Sequence, residues 1–130
     1  MATKGKVLIV DDDPDLCEIM RLALESDGFE VRTASNGTQG LQMMREDKPD
    51  LVFLDVIMAH PTEGVDVSAT MKESPELWDI PVIMLTSILD TEYLGHFPTD
   101  QALTVDQFLT KPVAIPELIR IANQAIGSKS

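Results

Sequence analysis

Two kinds of hydrophobic pattern take turns along this chain. Val7-Leu8-Ile9-Val10 is an unbroken apolar run, the mark of a strand covered on both faces, and it predicts a strand over Lys6–Asp11. Asp13-Pro14 then supplies an acidic cap and a proline suited to a first helical turn. Leu16, Ile19, Met20, Ala23 and Leu24 recur at helical spacing behind it, and Gly28 closes the segment. Phe29–Ala34 alternates like a strand, a second helix is expected over Thr38–Glu46, and Asp50–Asp55 is another buried strand running into a carboxylate. A helix is expected near Asp66–Glu73, a fourth strand over Ile80–Ser87 and a fifth over Asp106–Pro112. Pro116 opens a last helix carrying Leu118, Ile119, Ala122, Ala125 and Ile126 on one stripe.

Strand and helix patterns alternate five times, which predicts an α/β fold with a parallel sheet between helices and right-handed crossovers. The weakly patterned region is 88–105, where Gly95 and Pro98 interrupt the expected crossover helix between the fourth and fifth strands.

Length and composition then bound the class. A chain of 130 residues buries one core, so a single domain over 1–130 is expected. Cys17 is the only cysteine, which rules out an internal disulfide. No apolar run approaches the ~20 residues of a spanning helix. The opening "MATKGK" lacks the apolar segment of a signal peptide, so a cytoplasmic protein without membrane insertion is expected. The formal charge of −12, from 22 acidic against 10 basic residues, repels phosphate backbones and anionic lipid and argues against direct nucleic-acid binding.

Chemistry in open α/β sheets gathers beyond the carboxyl ends of the strands. The first strand ends in Asp11 and Asp12, the third in Asp55, the fourth in Thr86 and Ser87, and the fifth in Lys111 before Pro112. Carboxylates suit a hard, oxygen-seeking cation such as Mg²⁺, which would also neutralise the crowded aspartates of "DDDPD". Asp55 is then placed to attack phosphorus, with Lys111 and the Thr86 hydroxyl as partners for the phosphoryl oxygens. Each element alone is common: "DDDP" is most often a cap and turn, and a lone aspartate after an apolar run usually a strand-end turn residue. Their conjunction on successive strand ends carries the weight.

On Asp11-Asp12 after "VLIV", Asp55 in "LVFLD", Thr86 in "IMLTS" and "FLTKP" ending in Lys111-Pro112, the chain resembles the receiver domain of two-component response regulators over nearly its full length. The resemblance implies a flavodoxin-like, doubly wound five-stranded sheet of order 2-1-3-4-5 with five helices. It also implies a sensor histidine kinase or phosphotransfer protein as phosphodonor, Asp55 as acceptor, and a downstream protein target that the residues do not name. Asp12 and Asp55 would ligate Mg²⁺ directly, Asp11 mainly through water, and the Ile57 backbone carbonyl would complete the protein ligands. Lys111 would pair with the phosphoryl group, Thr86 would swing in to bond it, Phe108 would turn inward behind, and the Lys111-Pro112 bond would be cis. Such a chain is no enzyme acting on a separate substrate; it catalyses only its own phosphorylation and dephosphorylation. With no output domain expected after "AIGSKS", output would be protein contact, onward phosphotransfer or a phosphate sink.

The chain departs from the family pattern in two places. "VIMAHPTEG" after Asp55 has Ala59 where the family's proline follows Met58 and delays the proline to Pro61, in a loop one residue longer. Between Thr86 and Phe108, an interval a few residues longer than the family's, Leu103-Thr104 replaces the small pair expected before Phe108. Both bear on the face around 88–105 rather than on the phosphoryl site. His60 and His96 read as surface residues, the seven methionines as core filler and Cys17 as structural. Ile57 and Ile88, two positions after Asp55 and Thr86, cannot orient an attacking water, so a slowly hydrolysing phosphoaspartate is expected. Other classes fit less well. An aspartate-nucleophile phosphohydrolase wants a second aspartate where Ile57 stands, and a flavodoxin-type cofactor site wants a glycine- or hydroxyl-rich phosphate loop where "DDDPD" stands. A cobalamin site would need His60 at another distance from Asp55.

Overall fold

The continuous apolar runs form the middle of one sheet and are covered on both faces. The computed structural model describes residues 4–55, 63–87, 107–111 and 114–127. Strands β1 (Lys6–Val10), β2 (Glu30–Ala34), β3 (Leu51–Asp55), β4 (Val82–Ser87) and β5 (Gln107–Lys111) pair in parallel in the order β2-β1-β3-β4-β5. Helices α1 (Pro14–Ser26), α2 (Gly37–Glu46), α3 (Glu63–Glu73) and α4 (Ile115–Gly127) complete the described elements. The fold is flavodoxin-like, and the strand order is the one expected. The helix expected within 88–105 lies outside the described residues.

Side-chain alternation along the inner strands splits the core in two. Val7, Ile9, Leu51, Phe53, Ile83 and Leu85 pack with Met20 and Leu24 of α1 and with Leu118, Ile121 and Ala122 of α4. Leu8, Val10, Val52, Leu54, Val82 and Met84 pack on the other face with Met44 of α2 and with Val67 and Met71 of α3. Each fully buried side chain of this size contributes about 1.5–3 kcal/mol, so the two layers hold the sheet register firmly.

Helix ends are set by local chemistry. Asp13 caps α1, its side chain accepting from the backbone N–H groups of Asp15 and Leu16, with Pro14 at the first helical position. At the other end Gly28, at φ +100°, donates to the Glu25 carbonyl while Phe29 N–H donates to that of Leu24. That paired pattern is a Schellman stop, and only glycine takes such a φ without strain. Asn36 caps α2 by accepting from Gln39 N–H, and the Gln39 side chain accepts in turn from Ser35 N–H.

Several element limits differ from expectation, for identifiable reasons. β2 begins at Glu30 because the N–H of Phe29 is spent on the helix stop. β4 begins at Val82 because Ile80 closes a turn onto the Leu77 carbonyl and Pro81 has no N–H to give, although its carbonyl accepts from Val52 N–H. α2 starts one residue earlier than expected, directly after its Asn36 cap, and α3 starts at Glu63. Ile19 is not part of the buried stripe of α1: it is 53% exposed, and the inward seam runs through Cys17, Met20 and Leu24. On α4 the buried seam is Leu118, Ile121 and Ala122, with Ile119 only partly buried.

The amino-terminal edge of the sheet is tied by polar contacts. Lys4 Nζ donates to Asp27 at 2.8 Å and to Asn123 Oδ1 at 3.1 Å, and Asn123 Nδ2 donates to Asp27 at 2.8 Å, joining the chain start to the end of α1 and to α4. Lys6 bonds Asp47 at 2.7 Å through its ammonium and Asp50 Oδ2 at 2.8 Å through its N–H. The hydrogen bond from Lys4, helped by Asn123, holds the Asp27 carboxyl below its ordinary value, and Lys6 does the same for Asp47. A carboxyl depressed in the folded state contributes stability that is present above its ordinary value near 3.8 and is lost as pH falls through the lower folded value. Carbon-detected NMR titration should therefore find Asp27 ionising below 3.8, and Lys4→Met should move it back toward that value without restoring it fully, because Asn123 remains.

Gly40 brings α2 close to the sheet: a Cβ there would lie 2.9 Å from Val10 Cγ2 and 3.3 Å from Val10 Cγ1. Val10 is fully buried and β-branched, so it has little freedom to yield. Alanine would gain roughly 0.8–1 kcal/mol in helix propensity, against overpacking of about 1–3 kcal/mol. Gly40→Ala should lower the unfolding free energy measured in urea by about 1 kcal/mol net, and Val10→Ala should cost less in that variant than in the parent chain. Additive losses would show that the two positions do not press on one another.

Candidate functional site

The site follows from the β1–β3 register. Val7, Leu8, Ile9 and Val10 pair with Leu51, Val52, Phe53 and Leu54, so the next residues along each strand are Asp11 and Asp55. Both continue the parity of Ile9 and Phe53 and sit on the α1 side of the sheet. Both are buried, at 1% and 2% exposure, while Asp12 beside them is exposed. One carboxylate oxygen from each of Asp11, Asp12 and Asp55 lies within 4.8 Å of the others. Among the described residues these three form the group able to hold a cation.

Three contacts fix the backbone and side chain of Asp11. Its N–H donates to the Ala34 carbonyl at 3.0 Å, extending the β1–β2 ladder past the end of β1. Its Oδ1 accepts from Asp13 N–H at 2.9 Å, and its carbonyl accepts from the Cys17 thiol at 3.3 Å. Asp13, read from sequence only as a cap, and Cys17, read only as structural, therefore both hold the acidic corner. The two-residue Asp11-to-Asp13 spacing was the available signal for the first; nothing in the pattern pointed to the second.

Beside the acidic residues opens a cavity of about 380 Å³, bounded by Asp11, Asp12 and Pro14, by Cys17, Glu18 and Arg21 of α1, and by Thr33, Ala34 and Ser35 at the end of β2. Arg21 does not neutralise the aspartates, because its guanidinium is engaged by Glu18 and by Glu25 at 2.8 Å on its own helix.

The remaining sequence-derived residues fall as follows. Thr86 is the fifth residue of β4, in register with Thr110, and Lys111 ends β5 in register with Ser87. Phe108 is the second residue of β5, opposite Met84. Asp55, Thr86 and Lys111 thus share the carboxyl rim of three adjacent strands. Ile57, His60, Ile88, His96 and Pro112 lie outside the described residues, and so does the expected cis bond before Pro112. Among the described residues no helix is long and apolar enough to cross a membrane.

The donor set suits a small hard cation. Mg²⁺ holds oxygens at about 2.0–2.1 Å in an octahedron, so its opposite ligands stand about 4.2 Å apart and adjacent ones closer. Three oxygens bounded by 4.8 Å need only small side-chain adjustments to reach that span. With no cation between them the buried carboxylates of Asp11 and Asp55 repel by about 3–4 kcal/mol at an effective dielectric near 20, and exposed Asp12, screened by water, adds nearer about 1 kcal/mol.

This fold and this rim are those of a signalling module, and the chain belongs to the response regulator receiver domain family, whose model matches residues 7–123. It is 33% identical over 120 residues to the DNA-binding response regulator MtrA of Mycolicibacterium smegmatis, covering 89% of this chain and 48% of that protein. It is 30% identical over 115 residues to the DNA-binding dual master transcriptional regulator RpaA of Synechocystis, covering 88% and 46%. The chain thus spans about half the length of the curated relatives it matches. Among solved structures, the signal receiver domain of a signal transduction histidine kinase from Syntrophus aciditrophicus superposes with a TM-score of 0.83 at 28% identity, covering 95% of this chain and 91% of that one. The receiver domain of NtrX from Brucella abortus gives 0.80 at 25% identity, covering 94% and 98%.

Repulsion at the acidic corner has a measurable consequence. Asp12→Asn removes the exposed member without opening a cavity in the core. In metal-free buffer with chelator it should stabilise the fold by about 1 kcal/mol, raising the thermal midpoint by roughly 3–5 °C. A lower midpoint would mean that the acidic group is not under electrostatic strain.

Proposed function

We propose that Asp55 accepts a phosphoryl group from the phosphohistidine of a sensor histidine kinase or a histidine phosphotransfer protein, and that the phosphorylated chain presents an altered protein-binding face. The observation that carries this reading is the buried Asp55 sharing a 4.8 Å cluster of oxygens with Asp11 and Asp12 in a member of the receiver family. In the transfer an Asp55 carboxylate oxygen forms a bond to phosphorus while the phosphorus–nitrogen bond breaks, and the electron pair of that bond stays with the imidazole.

Asp12 and Asp55 would hold Mg²⁺ directly, Asp11 mainly through water, and the Ile57 carbonyl would complete the protein ligands. When bound, Mg²⁺ supplies the positive charge that lets an anionic phosphodonor enter an anionic pocket. Lys111 brings the second positive charge to the equatorial phosphoryl oxygens, and the Thr86 hydroxyl donates to one of them. Phe108 follows Thr86 inward and so couples the site to the surface beside β5. The chain then catalyses only its own phosphorylation and dephosphorylation, in the cytoplasm.

Output passes by protein contact, onward transfer to a histidine or storage of phosphate. The DNA binding named for the MtrA and RpaA relatives is not carried over, since this chain matches only about half of each. A phosphohydrolase acting on separate substrates is disfavoured by Ile57, which stands where such enzymes place their general acid.

Acetyl phosphate tests the assignment directly. Intact mass should show one added phosphate that requires Mg²⁺, is released by hydroxylamine and is lost in Asp55→Asn. Phosphate incorporation undiminished in Asp55→Asn removes the acceptor assignment. Followed over time, the phosphorylated form should decay over minutes to hours, because Ile57 and Ile88 offer no group to orient water; decay in seconds would reject that part.

A further inference from the structure

We infer that Cys17 is a positioning residue of the acidic corner: by holding the Asp11 backbone it raises the affinity of the site for Mg²⁺. The inference rests on the receiver reading above. Asp11 is where β1 hands over to α1, and it is held from three elements at once. Ala34 of β2 takes its N–H at 3.0 Å, the turn residue Asp13 donates to Oδ1 at 2.9 Å, and Cys17 of α1 donates its thiol proton to the carbonyl at 3.3 Å. The first contact fixes where the residue starts, the second fixes the plane of its carboxylate, and the third fixes the peptide between Asp11 and Asp12. That last peptide is the lever for both members of the acidic pair, because its rotation moves the Asp12 side chain relative to Asp11 and Asp55.

The thiol is suited to the task by its surroundings. Cys17 is 7% exposed and Asp11 is 1% exposed, so the contact lies away from bulk water, where even a weak donor is favoured over none. Cys17 also lies on the buried seam of α1 with Met20 and Leu24, in the core layer that holds Val7 and Ile9 of β1 and Val31 of β2, which restrains its side chain. It borders the cavity that opens on Asp11 and Asp12, so the contact sits at the edge of the site rather than deep in the core. Partners of this kind orient ligating groups without touching the ion, and losing one typically weakens metal binding about 10–100-fold where the partner is a strong hydrogen bonder.

Packing alone gives Cys17 a different signature, and three substitutions separate the two. Cys17→Ser keeps a donor and loses apolar volume; Cys17→Val keeps apolar volume and loses the donor; Cys17→Ala loses both. Mg²⁺ titration by calorimetry should leave Cys17→Ser within about twofold of the parent, and should weaken Cys17→Val and Cys17→Ala about three- to tenfold, less than the usual range because a thiol donates weakly. Metal-free urea midpoints should follow the opposite order, with Cys17→Val above Cys17→Ser. In phosphorylation by acetyl phosphate, the half-saturating Mg²⁺ concentration should rise in Cys17→Val and Cys17→Ala while the rate at saturating Mg²⁺ holds.

Parent-like Mg²⁺ affinity in Cys17→Val overturns the inference, and if that variant does not fold, parent-like affinity in Cys17→Ala does the same. Those results leave the receiver reading standing, provided that the parent binds Mg²⁺ and Asp12→Asn weakens it. A parent chain with no Mg²⁺ affinity, or an unresponsive Asp12→Asn, overturns the receiver reading and this inference together.

Discussion

The in-register pairing of β1 with β3 is the constraint on which the rest of the molecule depends. Because Val10 pairs with Leu54 and both strands run in parallel, the next residues, Asp11 and Asp55, reach the same rim at the same height and on the same face. A slip of one residue would do more than separate two carboxylates. It would exchange the α1–α4 face of β1 for the α2–α3 face and turn Val7 and Ile9 out of one core layer into the other. The site is therefore stabilised by the core: the same alternation that buries Phe53 also delivers Asp55, two residues further on. Interdigitated packing on both faces, down to the Gly40–Val10 contact, makes that register expensive to change.

The cost of the design is electrostatic, and it is borne where the sheet is strongest. Asp11 and Asp55 are almost fully buried, and Asp12 completes the cluster from the surface. No basic residue of α1 relieves them, since Arg21 is turned along its own helix to Glu18 and Glu25. The opposite rim has the reverse character: Lys4 and Lys6 each meet carboxylates, and Asn123 links Asp27 to α4. Carboxylates thus meet lysines at the amino ends of the strands and gather in one cluster at the carboxyl ends. Among the described residues, Lys111 at the end of β5 brings a basic residue to the same rim, which suits the phosphoryl role proposed for the site.

What the sequence disclosed follows from which features are local. Unbroken runs such as Val7–Val10 and Leu51–Leu54 identify inner parallel strands because only a doubly covered strand has no polar face, and the strand-end aspartates are then found by position alone. The Asp13 cap and the Gly28 stop are equally local, and both stand where expected. The misjudged features are those decided by tertiary rotation. Ile19 fits an apolar stripe by spacing, yet α1 is turned so that Cys17, Met20 and Leu24 face inward and Ile19 faces water. The role of Cys17 at Asp11 was equally illegible, because a thiol-to-carbonyl contact six residues apart across a strand–helix turn has no signature in composition or period. Ile80 fits β4 by hydropathy, which cannot register that Pro81 lacks the N–H a ladder needs.

The same separation explains where this chain departs from its family. The lengthened loop of "VIMAHPTEG" begins after Asp55, and the altered 88–105 stretch begins after Thr86 and ends before Lys111. Insertions at those places follow a strand end, so they leave strand parity and the β1–β3 register untouched. An insertion within β1 or β3 would invert the faces of the strand and take the carboxylate away from its partners. The acidic corner and the core are one mechanical unit, whereas sequence change beyond the strand ends is not bound by that register. The two departures read from the sequence both fall beyond strand ends, which fits the reading proposed above of an acidic site set by the sheet register.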